Sequence, residues 1–181
     1  MDRYISILRG INVGGNRKIL MADLKKVYEK LGFSNIITFI QSGNVIFDFP
    51  EKVENVVFEQ KIQQAIKETF DFDVPVIIRS KTELKNIIEN NPFKTNDGED
   101  MPGLFVTFLK DWPTSAQLEK ISHTKYPPDD FIILGNNVYL SCSGNYSKSK
   151  LTNQFFEKNL KSAATTRNWN TICKLSELVS T

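Results

Sequence analysis

Two stretches of this chain read as the same hairpin. Phe39-Ile40-Gln41-Ser42-Gly43-Asn44-Val45-Ile46-Phe47 and Ile132-Ile133-Leu134-Gly135-Asn136-Asn137-Val138-Tyr139-Leu140 each set Gly and Asn between two β-rich runs. Gly and Asn accept the positive φ that a tight hairpin turn demands. Ahead of the first hairpin, Tyr4–Leu8 reads as a strand. Met21, Leu24, Val27, Tyr28 and Leu31 then recur at helical spacing and stop at Gly32. After it come a helix on Phe58, Ile62, Ala65, Ile66 and Phe70, a strand over Val74–Ile78, and the capping box Ser80-Lys81-Thr82-Glu83 opening a further helix. The pattern restarts with a strand at Leu104–Leu109, a short helix capped by Thr114-Ser115-Ala116-Gln117, and the second hairpin. Two helices follow, one on Leu151, Phe155, Phe156 and Leu160, the other on Trp169, Ile172, Leu175 and Val179.

The element order is β-α-β-β-α-β-α followed by β-α-β-β-α-α. It predicts an α+β fold: a tandem repeat of two similar ferredoxin-like α/β-sandwich subdomains of the βαββαβ type, with mostly antiparallel sheets. The second copy shows no closing strand, so the two copies are expected to complete each other's sheets. The polar, acidic stretch Lys94–Pro102 reads as a linker. The expected division is 1–93, a linker at 94–102, and 103–181, folding as one unit.

Charge is unevenly placed. Residues 1–31 carry seven Lys/Arg against three Asp/Glu, residues 144–181 six against two, and the middle ten against sixteen. Basic ends around an acidic centre would attract an anionic partner if the ends meet; the structural alternative is that these charges are dispersed over solvated faces. No run approaches the roughly 20 apolar residues of a membrane span, and the start has no signal-peptide pattern. Cys142 and Cys173 stand far apart with no CxxC spacing, as in a cytoplasmic protein with reduced thiols. No Cys/His spacing suits a metal, and no cofactor is expected. The lone His123 and the two cysteines show no activating neighbour, so no acid, base or nucleophile is assigned.

Three stretches hold candidate ligand-binding residues. Arg9–Lys18 (RGINVGGNRK) has Gly10 and Gly15 at P-loop separation, but Asn16 stands where the lysine belongs and Arg17 where the hydroxyl belongs. No GxGxxG is present either. What remains is an eleven-residue connection, Gly10–Leu20, where about 2–6 are usual. Arg9, Asn12, Gly14, Gly15, Arg17 and Lys18 would offer backbone donors and cations to an anion; read as structure, its glycines and asparagines serve turns. The second stretch is Ser143–Asn153, where Lys148 and Lys150 flank a serine ahead of a helix; solvated lysines beside a plain N-cap are the structural alternative. The third is Thr165–Thr171 (TTRNWNT). There Arg167 suits phosphate or carboxylate, Asn168 a polar edge, and Trp169 stacking, unless Trp169 is core and Thr166 the helix cap.

The opening around Leu8–Gly15, the Gln41–Val45 hairpin, Asn91-Pro92-Phe93, and Thr165–Thr171 occur together and in this order. In this the chain resembles an uncharacterised bacterial family classed as a domain of unknown function, across almost its whole length. The resemblance implies two similar α+β subdomains in tandem and carries no established activity or catalytic residues over to this chain.

Three function classes follow. The first is a binding protein for a phosphate-bearing, nucleotide-like small ligand, with the Gly-rich loop and the Arg167/Trp169 segment sharing a pocket. The second is a single-stranded nucleic-acid module, in which Phe47 would stack a base. Against it, Ser42 and Val45 depart from the recognition motif, and alternation turns Phe47 inward. The third is an interaction protein that uses an exposed sheet edge.

Overall fold

The alternation of Tyr4, Ser6 and Leu8 with Ile5 and Ile7 makes a strand apolar on both faces, which belongs in the middle of a sheet. A computed structural model describes all residues, Met1–Thr181. It puts that strand, β1 (Asp2–Leu8), in the interior of a four-stranded antiparallel sheet with β2 (Ser34–Phe39), β3 (Asn44–Phe49) and β4 (Val76–Ser80), in the order β2-β3-β1-β4. Helices α1 (Met21–Lys30) and α2 (Asn55–Phe70) bury Leu24, Tyr28, Phe58, Ile62 and Ile66 against Tyr4, Leu8, Val45, Phe47 and Ile78. Rings fill this core: Phe33 stacks on Phe47 at 4.3 Å between centroids, and Phe58 meets Tyr4 edge-on at 4.9 Å. Such pairs add to simple area burial. Helix α3 (Lys81–Glu89) starts at the expected box: Ser80 Oγ accepts from Glu83 N, and Glu83 accepts from Ser80 N at 2.7 Å.

The second sheet has the order β6-β7-β5-β8, formed by β5 (Leu104–Leu109), β6 (Asp130–Leu134), β7 (Asn137–Ser141) and β8 (Ala164–Asn168). Its helices are α4 (Ser115–Ser122), α5 (Asn153–Leu160) and α6 (Trp169–Ser180). The α4 capping box is present: Thr114 Oγ1 accepts from Gln117 N, and Gln117 Oε1 accepts from Thr114 N. Strand β8 corrects the expectation of an unclosed second copy. Each sheet has four strands of its own, and neither completes the other. The closing strand, Ala-Thr-Thr-Arg-Asn, lacks apolar alternation because, beyond Ala164, its buried positions Thr165 and Arg167 are polar. Thr166 pairs with Thr107 across the strands, hydroxyl to hydroxyl at 2.7 Å.

Two compact units divide the chain: Met1–Lys85 with Leu175–Thr181, and Asn86–Lys174. The division therefore falls at Lys85/Asn86, and the end of α6 belongs to the first unit, where Leu178 O accepts from Arg3. The Lys94–Pro102 stretch lies within the second unit, where Asp100 accepts from Asn91 Nδ2 at 2.8 Å and from Trp169 Nε1 at 2.6 Å.

Main-chain pins match between the units. Leu8 N donates to Gly43 O and Arg9 N to Pro75 O; Leu109 N donates to Asn136 O and Lys110 N to Ala163 O, all at 2.9 Å. The last strand of each sheet is an edge, and each is covered from a helix. Glu59 of α2 accepts from Ile78 N at 3.0 Å, Asn55 Nδ2 donates to Ile78 O at 3.3 Å, and Glu157 of α5 accepts from Ala164 N at 3.1 Å. Edges covered in this way are poor templates for another chain. Glu59→Ala orphans a buried main-chain donor, so urea unfolding is expected to show a loss of about 1–3 kcal/mol; an unchanged midpoint contradicts the assignment.

Candidate functional site

Arg9–Leu20 leaves β1 and folds back on itself. Asn12 N donates to Arg17 O at 3.2 Å and Asn16 N to Val13 O at 3.1 Å, closing a tight turn on Gly14 and Gly15. Both glycines have positive φ, 59° and 78°, as such a turn demands. Ile11 and Ile19 anchor the loop in the core, while every residue from Val13 to Lys18 is exposed. The Asn12 side chain is the lock: Nδ2 donates to Ile19 O and Gln41 O, and Oδ1 accepts from Ile19 N, each at 2.9 Å. It ties the loop to the first hairpin, and its amide is used in doing so. Asn12 therefore positions the loop. Arg17 Nη1 leans back to Arg9 O at 3.5 Å.

The loop ends at Leu20, which precedes α1 without a side-chain cap, leaving the first-turn N–H groups of the helix without one. Beside them is a cavity of about 360 Å³ lined by Asn12, Gly15, Lys18, Leu20, Met21 and Gln41, among others. Lys18 and the helix N-terminus bring positive potential, and the exposed Leu20 (73 % accessible) and Met21 bring an apolar wall.

The other expected site residues belong to the second unit. Lys148 ends a 3-10 turn (Tyr146–Lys148), and with Lys150 it lines a cavity of about 320 Å³. The expected serine cap is corrected: Thr152 caps α5, its hydroxyl accepting from Phe155 N, while Ser149 Oγ donates to Asp129 at 2.7 Å. Arg167 lies on β8 and only 9 % of it is accessible; its Nη1 donates to Thr165 Oγ1 and Thr166 O, both at 2.9 Å. Asn168, not Thr166, opens α6, its Oδ1 accepting from Thr171 N. Trp169, 8 % accessible, holds Asp100. Both side chains are thus largely buried, with their polar groups engaged inside the second unit. Phe47 is likewise shut in the core, which removes the aromatic platform a nucleic-acid-binding sheet would need.

A further cavity, of about 750 Å³, was not legible in the sequence. It lies in the first unit beside Arg3, Asp48, Asn55, Ser80 and Glu83. These groups satisfy one another. Arg3 donates to Asp48 through Nε at 2.6 Å and Nη2 at 3.0 Å, Asn35 Nδ2 donates to Asp48 at 2.8 Å, and Asn55 donates to Glu83 at 3.0 Å. Deeper in the unit, burial pushes the Arg79 guanidinium below its ordinary value, opposed by Glu83 and Glu59. Burial also raises Tyr139, whose hydroxyl donates to Ile87 O, to about 12. The Cys142 thiol is raised by burial and by Asp129, so it is a poor nucleophile. No group of three or more His, Cys, Asp or Glu is placed to hold a metal ion, and no helix is long and apolar enough to cross a membrane.

The Arg3 guanidinium holds the Asp48 carboxyl below its usual range, with Asn35 assisting against burial. A depressed carboxylate contributes stability above its unfolded value, about 3.9, and loses that contribution as pH falls through the folded value. Asp48→Asn is expected to cost about 1–3 kcal/mol at pH 7 and to flatten the fall in stability below about pH 4. Thermal unfolding across pH checks both.

Comparison with known proteins gives a family and a fold. The family model described as "Protein of unknown function (DUF1697)" matches residues 1–139. The solved structure of conserved bacterial protein SP0830 from Streptococcus pneumoniae is similar in fold, with a TM-score of 0.77, 21 % identity and 98 % of each chain covered. No curated protein matches the chain.

Proposed function

The chain belongs to the DUF1697 family of proteins of unknown function, and from that premise we propose that it binds a phosphate-bearing, nucleotide-like small ligand at the Arg9–Leu20 loop. The loop's excess length carries this reading. The second unit joins β5 to α4 with five residues, Lys110–Thr114, whereas the first uses twelve, Arg9–Leu20, between β1 and α1. The same strand end and the same main-chain pins precede both connections, so the architecture does not require the longer one. Long ordered loops on a rigid scaffold are where binding concentrates.

The finer fold reading belongs to the same proposal: two ferredoxin-like subdomains in tandem. The shared strand order and the matched pins support it. Cytoplasmic residence fits two free cysteines.

In the bound state Lys18 and Arg17 neutralise the phosphate, and the N-terminus of α1 with the Gly15 backbone supplies N–H donors. Leu20 and Met21 cover the apolar body of the ligand, and Asn12 holds the loop in place. Titration calorimetry of the full chain against pyrophosphate and nucleoside mono-, di- and triphosphates tests this. Binding is expected, and Lys18→Gln weakens it about tenfold or more, the size of one lost charge-assisted contact. Absence of binding across the panel, or equal affinity in Lys18→Gln and Arg17→Gln, overturns the reading.

A further inference from the structure

The second unit has its own extra chain, placed elsewhere. The first unit joins α1 to β2 in three residues, Leu31–Phe33, and β3 to α2 in five, Pro50–Glu54. The corresponding connections of the second unit take seven, His123–Asp129, and eleven, Cys142–Thr152. The eight residues around the 320 Å³ cavity all come from these two lengthened connections, as two runs, 125–129 and 148–150. A concavity made wholly of chain that its counterpart lacks is not a by-product of the shared architecture.

Asp129 staples the two connections together. One carboxylate oxygen accepts from Ser143 N at 3.1 Å and the other from Ser149 Oγ at 2.7 Å; Ser149 Oγ in turn accepts from Leu151 N at 3.1 Å. Both carboxylate oxygens are thereby engaged in holding the floor of the cavity. Three lysines surround it: Lys125, Lys148 and Lys150. The Lys150 ammonium lies 5.5 Å from the Tyr126 ring centre, which holds its charge near the cavity. The balance is three positive charges against one carboxylate, on a floor that is already hydrogen-bonded.

We propose that this cavity is a second anion site, separate from the Arg9–Leu20 loop, and that it takes a small phosphate or phosphate monoester. The volume stands at the small end of ligand cavities, about 300–1,000 Å³, with Tyr126, Pro127 and Pro128 on one side and the lysines and Ser149 on the other. Lysines suit a compact, highly charged anion whose orientation they need not fix, since each is a rotatable point charge. The proposal does not rest on the loop reading.

The test is a titration of the ¹⁵N-labelled full chain with inorganic phosphate, followed by amide shifts at about 0.15 M ionic strength. Saturable shifts are expected at the amides of Lys125, Tyr126 and Asp129 and of residues 147–151. Lys148→Gln with Lys150→Gln should lower the affinity read at these amides at least tenfold, while Lys158→Gln, on α5, leaves it unchanged. Asp129→Ala, which keeps all three lysines, should also weaken binding because the floor is released. The amide spectrum of each variant reports whether the unit has kept its fold. The proposal is overturned if these amides do not saturate, if sodium chloride at equal ionic strength reproduces their shifts, or if the double lysine variant binds as tightly as the parent. Shifts confined to 9–20 leave the loop reading standing and reject this one.

Discussion

Each sheet is organised by how its interior strand ends. Leu8 and Arg9 donate their N–H groups to the hairpin on one side and to the chain entering the last strand on the other; Leu109 and Lys110 do the same. Two hydrogen bonds at one strand end fix both neighbours at once, and so fix register. A one-residue slip would carry Tyr4, Ser6 and Leu8 to the wrong face of the sheet. With the strand ends pinned, the connections beyond them can change in length at little cost to the core. Closure entropy grows only slowly with loop length. That is the physical reason one architecture tolerates twelve residues at one position and five at its counterpart.

The sheet edges obey a second constraint. A last strand presents main-chain donors on its outer side, and here α2 and α5 meet them with Glu59 and Glu157. Glu59 is almost wholly buried, as is Arg79 on the strand it covers. Buried carboxylates carry a desolvation cost, which hydrogen bonds to main-chain N–H groups and nearby positive charge offset. Acidic residues that look in the sequence like members of a solvated helix face therefore have structural work to do. They are part of why the acidic middle of the chain does not read as one acidic surface.

Legibility followed the source of each signal. The hairpins, α1 and both capping boxes were readable because local chemistry alone specifies them: positive φ at Gly43 and Gly135, helical spacing, and Ser80/Glu83 and Thr114/Gln117 at N-cap and N3. Strand β8 was not readable, since its stability comes from partners distant in sequence. Thr166 meets Thr107, and Tyr146 and Asn153 join the same hydroxyl. A polar pentapeptide running into Trp169 has the local look of a helix start. The roles of Asn12 and Asp100 were hidden for the same reason, because each bridges segments that only the fold brings together. The loop's excess length was visible from the sequence; that its counterpart is short became clear only once β5 and α4 had boundaries.

Three kinds of cation stand out in the basic ends of the chain. Arg3 is paired with Asp48 and serves the fold. Arg167 is buried among threonine and main-chain oxygens and serves the second sheet. Arg17 and Lys18, and Lys148 and Lys150, are exposed, and both pairs lie on connections longer than their counterparts. Exposed lysines contribute little to stability by themselves, and like charges held near one another carry a repulsive cost in the absence of an anion. A core-forming constraint explains the first two kinds of cation and leaves the third unexplained. These four exposed charges fall on connections longer than the shared architecture requires, and the proposed binding is placed on them for that reason.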